Sequence, residues 1–271
     1  MTRRSPVAAV EAPAVANLPG GPIPFTLRHS PRARSLRVVL HPDRGVVVTM
    51  PATRAGRLDG ERRAVAFLAE REPWLRRHLG RQAAVLAELA ARGGATDGGV
   101  IPFRGRLHRV RIVPAVSGIR RSDVAAFPDE LVVHRVAGER RSDAAILERW
   151  LRTLAYEAIQ AAVQVHAEAL RVRPTAVSMR DPRTRWGSAS RTGRLSFSWR
   201  LVLAPPEALE TVVVHELAHL RVFGHGPRFW AVVASRRPDH RTWRRWLHDH
   251  STELHTALDP VSPAVPAALP A

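Results

Sequence analysis

The chain has 271 residues, of which 45% are hydrophobic, and carries a formal net charge of +18 with a pI of about 11.8. Such a length and apolar content support one large or two small domains with a buried core, and exclude a disordered protein. Cysteine is absent, which excludes disulfides and thiolate metal sites, so any metal must be held by His, Asp, Glu or water.

All 42 basic residues are arginine, and they are spread along the chain rather than clustered. With the abundant alanine this reads as a coding bias toward GC-rich codons rather than the footprint of a nucleic-acid site, so nucleic acid stands as a secondary partner only. No window approaches the roughly 18 apolar residues of a membrane span, and Pro6, Glu11 and Pro13 interrupt the first apolar run. A cytoplasmic protein without a membrane partner is expected; nothing in the sequence fixes the oligomeric state.

In chain order, residues 1–22 and 256–271 are rich in Pro and Ala and are expected to be disordered tails. The β-branched runs of 35–51 flank Pro42-Asp43-Arg44-Gly45, which predicts a hairpin. Residues 57–91 have Leu68, Leu75 and Leu79 near helical spacing, with Pro73 splitting the helix in two. Residues 91–99 are a loop, and 107–115 and 130–136 read as strands. Residues 142–172 predict a long helix capped by Ser142 or Asp143, with Ile146, Trp150, Leu154 and Ala158 on its apolar face. Strands are expected at 175–180 and 194–203, then a helix over 206–223 opened by Pro205-Pro206. The fold class is α+β. One domain is expected over 23–255, with a β-rich part with hairpins at 23–140 and a helical part at 141–255, where the motif helix lies beside a small sheet.

The segment VVVHELAHLRVFGHGPRFW, residues 212–230, carries the chemistry. On a helix, His215 and His219 project from one face a turn apart, so both imidazoles can reach one ion at about 2.0–2.1 Å. Glu216 is rotated about 100° from them, poorly placed as a ligand but able to reach a water on the metal. Gly224 can end the helix in a left-handed conformation, and Pro227 can start the next one. From the turn between them His225 can supply a third ligand, leaving the fourth position open. Val213, Leu217 and Leu220 are expected to bury the face opposite the histidines. The spacing also fits H-E-x-x-H-x-x-G-x-x-H, but Val222 occupies the glycine position and no Met follows the motif, so a metzincin is rejected.

Together, RWGSAS (185–190), SWRLVLAPPEAL (198–209), VVVHELAHL (212–220) and GHGPRFW (224–230) resemble the YgjP-like zinc metallopeptidase domain, a family related to the SprT-like proteases. The resemblance covers roughly residues 25–250, and includes RPDHRTWRRWL (237–247) as a closing segment. It implies a zincin-like catalytic part, His215, His219 and His225 as ligands of one Zn2+, and Glu216 as catalytic base. The chain departs from the family at Ala189, where a cysteine is usual, at Thr211, where a tyrosine is common, and at Gly224, where an asparagine is common.

The expected activity is hydrolysis of peptide bonds in a peptide or protein substrate by a metal-activated water. Glu216 accepts the proton and passes it to the leaving nitrogen. Arg185, Trp186 and Arg228 are candidates for stabilising the oxyanion, and the strand at 194–203 is a candidate edge for pairing with extended substrate. Two alternatives stand beside this reading, a metal-dependent hydrolase of an anionic small molecule and a non-catalytic zinc- and DNA-binding protein. Trp243, Trp246 and Leu247 read as helix packing rather than a nucleic-acid surface. His248, His250 and His255 are assigned to a solvated tail, and His166 to the core edge or surface.

Overall fold

The computed structural model describes residues 10–41, 44–52, 59–182 and 184–259. The hairpin residues Pro42 and Asp43 and the segments 1–9 and 260–271 expected as tails lie outside them. The described residues divide into two compact units, one up to Leu86 and the other from Ala87 on.

In the first unit, alternation builds a four-stranded sheet in the order β1-β2-β4-β3. Its strands are β1 (Val10–Leu18), β2 (Gly21–Ser30), β3 (Arg37–His41) and β4 (Gly45–Pro51). Ile23, Phe25 and Leu27 sit at every second position of β2 and point into one core, as the two-residue period of a strand requires. That core is shared with Ala64 and Leu68 of α1 (Gly60–Ala69) and Leu75 of α2 (Glu72–Ala91). The expected hairpin is present as the antiparallel pair β3–β4, and the two helices start and stop around Pro73 as expected.

Residues 10–22 correct the expected tail. β1 pairs with β2 over nine residues, and Ala16 and Leu18 are buried while Ala14 packs alongside. Alanine and proline hid this strand because they lack strand propensity, yet β1 is an edge strand, where Pro13 forfeits no ladder bond that the sheet needs.

The second unit is organised by α3 (Asp143–Leu170), capped by the Ser142 hydroxyl, which accepts from the Ala145 N–H at 3.2 Å. Leu147, Leu151, Ala155, Ile159, Val163 and Ala167 recur every four residues and form a continuous buried stripe. One face of this core is a four-stranded sheet, β5 (Val100–Phe103), β6 (Arg106–Pro114), β7 (Asp123–Ala126) and β8 (Glu130–Arg135), in the order β5-β6-β8-β7. The division of the chain therefore falls at Leu86, not near residue 140. The strands of 100–135 share one hydrophobic core with the long helix and the motif helix.

A second, three-stranded sheet follows, formed by β9 (Ala176–Arg180), β10 (Gly187–Ala189) and β11 (Arg194–Ser198). Its order is β10-β11-β9, with β10–β11 antiparallel and β11–β9 parallel. The strand expected over 194–203 ends at Ser198, and Trp199–Val202 form a 3-10 turn whose four residues are all buried. The strand is also central, so it offers no edge to a substrate. Four helices close the unit: α4 (Pro206–Ala218), α5 (Pro227–Arg236), α6 (His240–Asp249) and α7 (Ser251–Thr256). Leu254, Ala257 and Leu258 are buried in the core, so the tail expected from residue 256 begins inside it. Leu247 is buried, with Trp243 and Trp246 against the same core, in keeping with packing rather than a nucleic-acid surface. No helix among the described residues is long and apolar enough to cross a membrane.

Candidate metal centre

The motif helix α4 starts on Pro206 and ends at Ala218, five residues before the expected limit, with His219 still helical as its C-cap. Gly224 does adopt a left-handed φ of 91°, but in the loop after the helix, and Pro227 opens α5 behind an extended Gly226. The helix is not one-sided as expected. Val213 and Leu217 enter the main core, while Val214 and Ala218 join Phe229 and Val233 of α5 in a second cluster. A helix walled by apolar residues on both flanks holds its few polar side chains in fixed directions.

Those side chains converge. The ring nitrogens of His215, His219 and His225 that can bind metal all lie within 4.8 Å of one another. The Nε2 atoms of His215 and His225 are 3.2 Å apart. Two ligand atoms of a tetrahedral ion with bonds of 2.0–2.1 Å would be about 3.3 Å apart, so this spacing fits one shared ion. Beneath the rings lies Phe229, fully buried, with its centroid 4.9 Å from His215, 4.5 Å from His219 and 4.9 Å from His225. Trp230 stacks on His225 at 5.8 Å and on the buried His240 at 5.4 Å. Burial, reinforced by the neighbouring His219 and His225, pushes the His215 pKa down to about 3. Burial and His225 lower that of His219 as well. Neutral imidazoles are the form that binds a cation, so the donor set suits zinc.

Glu216 is 6% exposed. Burial pushes its carboxyl up to about 7, and Arg185 opposes that rise. The side chain lies against β10, where a Cβ on Gly187 would come within 2.7 Å of Glu216 Cγ and 2.8 Å of Oε1. Only glycine leaves room for the acid at this crossing. Glu216 is thus buried without being sunk in the core, because it lines a cleft of about 400 Å³ together with His215.

Arg185 and Trp186 line the same cleft; Arg228 is exposed on α5 and is not part of it. His248 and His255 also line it, which corrects their assignment to a solvated tail. His255 is 5% exposed and stacks on Trp186 with centroids 4.9 Å apart. His250 is half-buried and stacks on Trp246. His166 is buried 3.7 Å from Glu210 Oε2, outside the cleft. Gly187, Phe229 and Arg244 were not singled out from the sequence, and His255 was assigned to the tail. The first two lie inside the RWGSAS and GHGPRFW segments, which was the available signal.

Three histidines from a helix and a following loop, with an acid one residue along the helix, define a three-imidazole candidate metal centre. A family model described as the YgjP-like, metallopeptidase domain matches residues 34–250. The chain belongs to that family, as the resemblance of its motifs implied. No curated protein matches the chain. Among solved structures, the crystal structure of the metallopeptidase zymogen of Pyrococcus abyssi abylysin is similar at 18% identity and a TM-score of 0.31. That match covers 34% of this chain and 93% of the other.

Proposed function

We propose that this metallopeptidase-family protein is a zinc-dependent peptidase, with His215, His219 and His225 as the ligands and Glu216 as the base. The observation that carries the reading is the 3.2 Å approach of two Nε2 atoms with the third imidazole beside them. When bound, the metal supplies a Lewis acid that polarises the scissile carbonyl and acidifies a water.

The chain's own residues do the rest. α4 fixes two imidazoles, and Phe229 props all three. The Glu216 carboxylate takes the proton of the attacking water and delivers it to the leaving nitrogen. A carboxylate one residue along from the first imidazole, lining the same cleft, is placed for both roles. Arg185, which lines the cleft, is the candidate cation for the charge that develops on the carbonyl oxygen. β10 takes the place that was expected of the 194–203 strand. Trp186 O accepts from Ser198 N, and Ser190 N donates to Arg194 O, so the even-numbered residues face β11. Gly187 and Ala189 then face the open edge, where an extended substrate can add as a further strand.

The test is elemental analysis of purified protein, followed by a peptide library assayed beside phosphoester and nucleotide substrates, with and without chelator. One zinc per chain and chelator-sensitive peptide cleavage are expected. Glu216→Gln should retain zinc while losing turnover. An active Glu216→Gln protein, or one with no metal and undiminished cleavage, would overturn the reading.

A further inference from the structure

The cleft that Glu216 lines has a charge character of its own. Arg185 reaches it from the segment leading into β10, and Arg244 from α6. Glu216 is the only carboxylate among the described lining residues. No described carboxylate forms an ion pair with either arginine, whereas most of the paired arginines of this chain meet theirs within 3.2 Å. Arg244 is instead held over the Trp230 ring, 4.4 Å from its centroid, which leaves the edge of its guanidinium fork free of an acidic partner. Ser251 and His248 add hydrogen-bonding groups to the lining, and the stacked Trp186–His255 pair forms an aromatic wall.

We propose that this cleft selects substrates with a carboxylate next to the bond that is cut, bound by Arg244, with the charge of Arg185 reinforcing the attraction. The inference rests on the peptidase reading and names its substrate class. A planar guanidinium matches a carboxylate with two parallel hydrogen bonds, whereas a lysine or arginine side chain would meet two like charges there. An uncharged side chain of the same size gains only neutral contacts. An aspartate or glutamate side chain and the free carboxyl end of a chain present the same group.

The test uses the metal-loaded full chain and matched peptides with Asp, Glu, Asn, Gln, Leu or Lys at each position flanking the scissile bond. A second arm compares free-acid with amidated peptide ends. The Glu and Asp peptides should exceed their amide counterparts in kcat/KM by about tenfold, the scale of one charge-assisted pair. Arg244→Glu should collapse that ratio and favour Lys. A preference confined to free-acid ends would identify the chain terminus as the source of the carboxylate. Equal rates across the series overturn the cleft assignment and leave the peptidase reading standing. If no peptide is cleaved, the peptidase reading fails, and equilibrium binding to the metal-loaded Glu216→Gln protein then decides the cleft. Acidic peptides bound about tenfold more tightly than amide ones, with the preference lost on adding Arg244→Glu, support it. Equal affinities overturn it.

Discussion

Glu216 is the residue at which stability and chemistry conflict. A carboxyl raised from 4.5 to about 7 keeps a proton that the unfolded chain sheds, so its ionisation opposes folding above pH 4.5 and does so fully above about 7. The shift corresponds to about 3 kcal/mol. In chelator, Glu216→Gln should therefore be more stable than the wild type at pH 8 by a few kcal/mol, with the gap closing below about pH 4.5. Denaturant unfolding at the two pH values checks this; equal stabilities at pH 8 would contradict it. His215 and His219 act in the opposite sense, because their lowered pKa values make the folded chain refuse protons that the unfolded chain accepts below about 6.5. Chelated Glu216→Gln should accordingly lose stability as the pH falls from about 6.5, with no offsetting acid. Phe229 carries a different load. Phe229→Ala opens a cavity under three rings and should cost about 3–5 kcal/mol, with weaker zinc retention, measured by unfolding and by competition with a chelator dye. The grouping of His215, His219 and His225 was legible in the sequence because an i, i+4 pair and a turn residue are local features. Gly187, Phe229 and His255 were not, since their importance lies in what folding brings against them from elsewhere in the chain.

At the scale of elements, the long helix, the hairpin, the Pro73 break and the motif helix were readable from periodicity and capping. The short strands β5, β7 and β10 were not, because three or four residues carry no period and take their shape from their partners. The strand at 194–203 was overextended because its apolar run continues into Trp199–Val202, which burial holds as a 3-10 turn. That error placed the substrate edge on a central strand. With β10 as the edge, Ala189→Pro removes an outward N–H while sparing the bonds to β11. It should lower kcat/KM on peptides by about tenfold or more, as loss of a strand-pairing bond in a positioned substrate would. Turnover unchanged in a steady-state assay would remove β10 from the substrate-binding role.

For the whole molecule, the candidate metal centre, the cleft and the main core all fall in the unit that begins at Ala87, which has its own sheets and helices. A fragment beginning at Ala87 should therefore fold cooperatively and bind one zinc ion. Zinc at about 100 times its Kd should raise its stability by about 2.7 kcal/mol, read as a chelator-reversible shift in the unfolding midpoint. A fragment that melts without cooperativity would show that the first unit is required. Composition misled most at this scale, since Pro- and Ala-rich ends were taken as tails although Ala16, Leu18, Ala257 and Leu258 are buried.

The three histidines of the candidate centre are unequally anchored. His215 and His219 belong to a rod clamped on both flanks, while His225 is exposed on the loop that follows Gly224. An arriving ion thus meets a rigid pair of jaws, and a single solvent-facing ring completes the grip. If the three imidazoles hold zinc as proposed, uptake and release of the cation are expected to follow that ring, with exchange needing no loosening of the scaffold around it.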